Sequence, residues 1–216
     1  MSFDPLWLIF LGIGLGLMPI VLMMATSYVK IVVVISLVRN ALGVQQIPPQ
    51  IVINGLAMIL TLFIMAPVAN DMGKLIEQES EHFSEIQPTQ ILEVARRVSP
   101  PLKKFLLANT DERVSNMLIN TSDRIWPKEL KGTAKKEDWC VMLPAFTITE
   151  LTKAFQIGFV LYLAFIALDL IISNILLAMG MMMVSPMTIS LPFKLLLFVT
   201  LDGWLKITQG LILSYH

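Results

Sequence analysis

Charge is confined to the middle of this chain, and that confinement restricts the fold more than any other feature. Of the 16 Lys/Arg and 16 Asp/Glu in 216 residues, 11 basic and 12 acidic lie between Asp71 and Asp138. Five basic and four acidic residues remain for everything else. Blocks 1–70 and 139–216 can therefore each supply apolar runs of the roughly 20 residues that a helix needs to cross a bilayer. The composition agrees: 56% of residues are hydrophobic and the mean hydropathy is +0.73, whereas a soluble domain is roughly 45–50% apolar. The expected class is all-α and integral membrane-type. Residues 1–70 and 139–216 are read as hydrophobic helical hairpins, about four long apolar helices in all, and 71–138 as a polar, mostly helical insert.

The first span is expected from about Leu6 to Val38, kinked at Pro19. Gly12 and Gly16 form a GxxxG face that admits close approach of another backbone, although glycine is simply commoner in membrane helices. Asn40 and Gly43 suit a helix end, and Pro48-Pro49 delays the next helix. The second span runs from about Ile51 to Val68, with Pro67 near its end. Within the insert, apolar residues recur at three- and four-residue spacing in the runs 72–86, 89–108 and 111–125, with Pro88 and Pro100-Pro101 as punctuation. Thr147 with Glu150 three residues later reads as a capping box. A third span is expected from about Phe155 to Met179 and a fourth from about Leu191 to Leu213. Lys30, Arg39 and Lys194 flank the two short connectors. The basic-residue rule then puts the connectors in the cytoplasm and the insert and both termini on the other side.

The chemistry-bearing residues are few. Five methionines (Met179, Met181, Met182, Met183 and Met187) crowd into 176–194 around Gly180, Pro186 and Pro192. Methionine is unbranched and polarizable, so a cluster of it makes a surface that repacks around different shapes. A deformable constriction is one reading; composition alone favours a greasy interhelical loop. An ionisable group at membrane depth normally faces a partner or a water-filled cavity. Asp169 is the deepest of these, and Asp202 and Lys206 stand four apart, acid first, as a self-contained helical pair would. Glu150 is either a capping group or the partner of a cation such as Lys194 across a subunit boundary.

Several classes are excluded or weakened. Zero net charge and basic pairs interleaved with acids argue against nucleic acid. Cys140 is alone and has no disulfide partner, and a single thiol in an apolar setting is most often a small hydrophobe. His82 and His216 lack ligand spacing, so neither a metal nor a cofactor is expected. The glycines at 12, 14 and 16 have no preceding strand and fail the context of a dinucleotide loop. No basic residue precedes Lys30, so the first segment reads as a retained helix rather than a signal peptide. A small secondary transporter or ion channel using Asp169 is the main rival, but it usually shows internal repeats, and none is evident. An intramembrane enzyme needs a second catalytic group near Asp169.

Three strings resemble one family closely: MMATSYVKIVVVISLVRNALGVQQIPP (23–49), LPAFTITELTKAFQIGF (143–159) and DLIISNILLAMGMMMVSPMTISLPFKLLLFVTLDGW (169–204). They are similar to the FliP/SctR family, core export-apparatus proteins of bacterial type III secretion systems, and they fall in both hydrophobic blocks. The resemblance implies a homo-pentamer in the bacterial inner membrane. It further implies partnership with a small two-helix protein and a larger export-apparatus protein, and a helical cone raised toward the periplasm that encloses the path of unfolded secreted substrates. By motif, Met181, Met182 and Met183 match a methionine gasket that closes the pore. Glu150 and Lys194 match an intersubunit ion pair, and Tyr162 matches an aromatic position facing the channel. Relatives commonly carry proline where this chain has Ala164, so a milder kink is expected beside Tyr162. The short N-terminus without a cleavable signal resembles the injectisome branch more than the flagellar one.

Overall fold

The computed structural model describes residues 5–44, 46–80 and 91–215. Described elements are helical: α1 (Pro5–Met24), α2 (Tyr28–Ala41), α3 (Gln50–Ser80), α4 (Ile91–Val98), α5 (Pro100–Asn109), α6 (Glu112–Ile125), α7 (Trp139–Ala178), α8 (Pro186–Thr200) and α9 (Gly203–Leu213). The turn expected at Pro88, together with His82 and His216, lies outside the described residues.

Among the described residues, two helices, in α3 and α7, are long and apolar enough to cross a membrane, and there are up to four spans if the bent pairs α1/α2 and α8/α9 each count as one. The expected first span is broken at Ala25–Ser27, while the helix runs through Pro19. The second does not stop near Pro67; α3 continues to Ser80, well into the segment assigned to the insert. The third starts at Trp139 and reaches 40 residues. The fourth is two helices bent by 60°, parted at Leu201-Asp202. Asp202 has φ 51° and ψ 45°, a left-handed conformation that a continuing helix cannot contain. Asp202 and Lys206 therefore do not share one long helix. Asp202 caps α9 and its carbonyl accepts from the Lys206 amide at 3.0 Å, and the two side chains make no ion pair among the described residues.

The chain packs as two compact units. The first comprises residues up to Val29 with Met65–Glu150. Its core gathers Ala25, Leu106, Met142 and Phe146, with Leu102, Phe105 and Leu143 against them. Phe105 and Phe146 meet at 5.9 Å between ring centroids. Asp111 caps α6 by accepting from the Arg113 amide at 2.8 Å, and its own amide donates to Thr149 Oγ1 at 3.1 Å. The Asp111 carboxylate also accepts from the Arg113 guanidinium at 2.9 Å, and that side-chain hydrogen bond, then its charge, hold the exposed guanidinium above its ordinary range. The insert is thus anchored on the first three turns of α7, which explains why that helix begins so early. Cys140, expected to act as a small buried hydrophobe, is exposed at its start.

The second unit comprises Lys30–Ile64 and Leu151–His216. Here α2 buries Ile31, Val34, Ile35 and Val38, the i, i+3, i+4, i+7 stripe of a helix with one apolar face inward. A Cβ built on Gly158 of α7 falls 2.3 Å from Leu37 Cδ1, so α2 and α7 approach closely only because position 158 has no side chain. Among the described residues, the close approach expected at Gly12 and Gly16 is not made, since nothing lies within 4 Å of a Cβ at either.

Candidate functional site

The methionines sit on a turn whose geometry is dictated by Gly180. Helix α7 ends in a Schellman arrangement: the Gly180 amide donates to Leu177 O and the Met181 amide to Leu176 O, both at 3.0 Å. This closure needs a left-handed residue, and Gly180 supplies φ 76°. The turn continues through Met182 and Met183 until Pro186 opens α8, where proline is tolerated because the first amides of a helix have no partner anyway. Backbone demand therefore places the three methionines at the tip. Met181 is 40% exposed, Met182 81% and Met183 100%. Met179 and Met187 flank the tip and are exposed as well. The greasy interhelical loop that composition favours is present, but its three methionines are exposed in the single chain and do not fill a core.

A second cluster lies around Lys194 of α8. Its ammonium is 3% exposed and donates to Asp169 Oδ2 of α7 at 2.6 Å and to Ala41 O, the last carbonyl of α2, at 3.2 Å. One cation thus ties three helices. It satisfies a part-buried acid and a helix C-terminus, where the backbone dipole favours positive charge. Asp169 Oδ1 is buried and accepts no hydrogen bond among the described residues. Gly43, at φ 81°, turns the chain after α2 and lies 3.9 Å from Leu191 Cδ1, just before Lys194 on α8. Nothing in the sequence spacing linked Lys194 to Asp169; they are 25 residues apart on different helices, and only the return of α8 brings them together.

The remaining expected residues are placed as follows. Glu150 is fully buried in α7. It is the twelfth residue of that helix and Thr147 the ninth, so the capping-box reading fails. Thr147 donates instead to Leu143 O at 2.9 Å and Met24 O at 3.3 Å. Tyr162 is 40% exposed on α7, and Ala164 leaves that helix unbroken. Lys206 is exposed on α9. Lys30, which sequence reasoning used only for topology, is completely buried, with its ammonium 3.4 Å from the centroid of the Tyr215 ring. A cation held on an aromatic face is stabilised most when desolvated. The only available signal for it was a lysine in an otherwise apolar helix.

Long apolar helices joined by a part-buried ion pair, with an exposed methionine turn between two of them, define a membrane-type helical protein. The chain belongs to the FliP family, whose model matches residues 11–211. It is 50% identical over 204 residues to the Yop proteins translocation protein R of Yersinia pestis, covering 93% of this chain and 92% of the relative. It is 45% identical over 214 residues to the virulence protein YscR of Salmonella typhimurium, with 98% and 97% covered. It is 43% identical over 209 residues to the hypersensitivity response secretion protein HrcR of Ralstonia nicotianae, with 97% and 96% covered. These relatives agree with the injectisome branch. Members of this family are transport components of bacterial type III secretion, so the chain is not an enzyme.

Proposed function

We propose that this chain is the pore-forming core of a type III secretion export apparatus in the bacterial inner membrane, and that Met181, Met182 and Met183 from several copies close the pore around unfolded substrates. The observation that carries the reading is the exposed methionine turn held out by the Gly180 closure. A ring of flexible thioethers excludes water and small ions when empty and repacks around any passing chain, because methionine has several rotatable bonds and little sequence preference. No bond is made or broken at this site, and the energy for transport comes from other components. Tyr162, exposed on α7, is assigned to the channel wall. Gly12 and Gly16 are assigned to packing between copies or partner helices, which agrees with their empty surroundings in the single chain.

The assembly is taken to be a homo-pentamer with a small two-helix partner and a larger export-apparatus partner, forming a cone that projects to the periplasmic side. In that assembly Glu150 of one copy is assigned to Lys194 of the next, a pairing for which assembly has to open both side chains, buried in the single chain, to the neighbour. An ammonium has three donors, and Lys194 spends two within its own chain, which leaves one for the neighbour. The carrier reading loses its motive, because Asp169 is already matched by Lys194 and is no free ion site.

The test is a conductance and secretion assay on the assembled complex. Replacing Met181, Met182 and Met183 together by Ala should raise ion leak by an order of magnitude or more while secretion continues. An ion-tight triple variant, or translocating substrate that never crosslinks to 181–183, places the seal elsewhere.

A further inference from the structure

At the bend between α8 and α9, backbone and side chains pull against each other. Asp202 sits at φ 51° and ψ 45°, a region that is unfavourable for an L-residue and is normally left to glycine. Asp202 is also the N-cap of α9, where an aspartate ordinarily accepts from the first helical amides, yet its side chain makes no such hydrogen bond. The strain is therefore not offset at the cap. Side chains hold the bend instead. Phe198 is buried, and its ring lies where a Cβ on Gly203 would be. Trp204 meets the same ring edge-on, with centroids 5.4 Å apart.

Turning only Leu201 and Asp202 to helical dihedrals joins the two helices. The product is one helix over 186–213, about 42 Å long at 1.5 Å per residue, and the two halves together are long and apolar enough to cross a membrane. The first amides of α9, which a separate helix leaves without partners, then gain carbonyls from α8. Asp202 and Lys206, both exposed and four apart with the acid first, then stand on one helix face as a stabilising pair. Hinges commonly work this way, with a few element-terminal residues absorbing the whole change.

Lys194 ties α8 to Asp169 and Ala41, so α9 is the arm that moves. Near its end Tyr215 covers the buried ammonium of Lys30, which is 3.4 Å from the ring centroid. Tyr215 lies about 20 Å of helix beyond Asp202, so straightening a 60° bend carries it clear of Lys30.

We propose that Leu201-Asp202 is a two-state hinge and α9 a lid. Bent, the hinge keeps Tyr215 latched on Lys30; straight, it continues α8 and uncovers Lys30. The device is independent of the methionine seal, and its readout needs neither ion leak nor secretion.

The test uses the full chain purified in detergent. Cys140, the single cysteine and an exposed one, is replaced by Ser, and spin labels are placed on Met187→Cys and Leu213→Cys, both exposed positions. Double electron–electron resonance reads their separation. A straight helix sets the two Cα atoms about 39 Å apart, whereas a 60° bend brings them to about 34 Å. The shorter separation should dominate in the unaltered hinge. Asp202→Ala, which disfavours the left-handed turn and favours helix, should raise the ratio of long to short about tenfold. Asp202→Gly, which takes that turn freely, should lower it. Acetylation of Lys30 by an amine reagent, counted by mass spectrometry, should rise and fall with the same ratio. A single short separation in both the unaltered chain and Asp202→Ala shows a fixed bend and overturns the proposal. So does a long separation in Asp202→Ala with Lys30 protected as before.

Discussion

At the scale of single residues, the Lys194 junction decides more than any other contact. Lys194 is buried, whereas Asp169 is 29% exposed at its side chain, so the two truncations are not equivalent. Asp169→Ala strands a buried ammonium and should cost about 3 kcal/mol, the lower end for breaking a buried pair from one side. Lys194→Met leaves a carboxylate that still reaches solvent and should cost less. The double variant should recover much of the loss, because a buried ion pair replaced by apolar groups is often close to neutral. Thermal unfolding of the purified chain in detergent gives all three values. Simple additivity of the two single costs would show that the pair is not coupled.

Helix length and helix contact are set at the next scale. At 1.5 Å per residue, the 40 residues of α7 extend about 60 Å, roughly twice a hydrocarbon core. A helix that long has to serve more than one environment. Its first turns pack with the insert, and its remainder belongs to the second unit. The approach of α2 to α7 rests on Gly158 against Leu37. Gly158→Ala should therefore destabilise by about 1–3 kcal/mol through overpacking, despite the better helix propensity of alanine. Leu37→Ala in the same chain should relieve most of that cost. If Gly158→Ala is neutral by thermal unfolding, the contact yields more easily than its geometry implies.

On the scale of the whole molecule, much of the apolar surface is uncovered, including Leu62, Phe63, Phe159, Val160, Leu196 and Val199. Patches of that kind are occupied by lipid or by protein partners. The proposed junction between copies gives the matching prediction. Glu150→Ala should lower recovery of the oligomer on size exclusion at unchanged helicity. A plain exchange of Glu150 and Lys194 is not a fair rescue, since it sets a carboxylate against Asp169. Adding Asp169→Asn to the exchange should restore part of the assembly. Full oligomer from Glu150→Ala would remove Glu150 from the interface.

Charge segregation, the apolar blocks and the family motifs were all legible without coordinates, because hydropathy and motif order depend only on composition along the chain. So were the extent of α6 and the methionine-rich turn, which follow from local rules about proline, glycine and periodicity, whereas the run read over 89–108 is two helices that part at Ser99. The end of α3 and the start of α7 were not legible: α3 runs on past Pro67 to Ser80 through residues that are largely exposed, and α7 starts early where the insert packs on it, with no terminal residue to mark either. Nor was the break at Asp202, which takes a left-handed conformation without glycine to signal it. The match of Lys194 with Asp169, the closeness at Gly158 and the burial of Lys30 under Tyr215 came from the tertiary structure alone. Each joins residues on separate helices, and a one-dimensional pattern carries no measure of which helix faces return to meet.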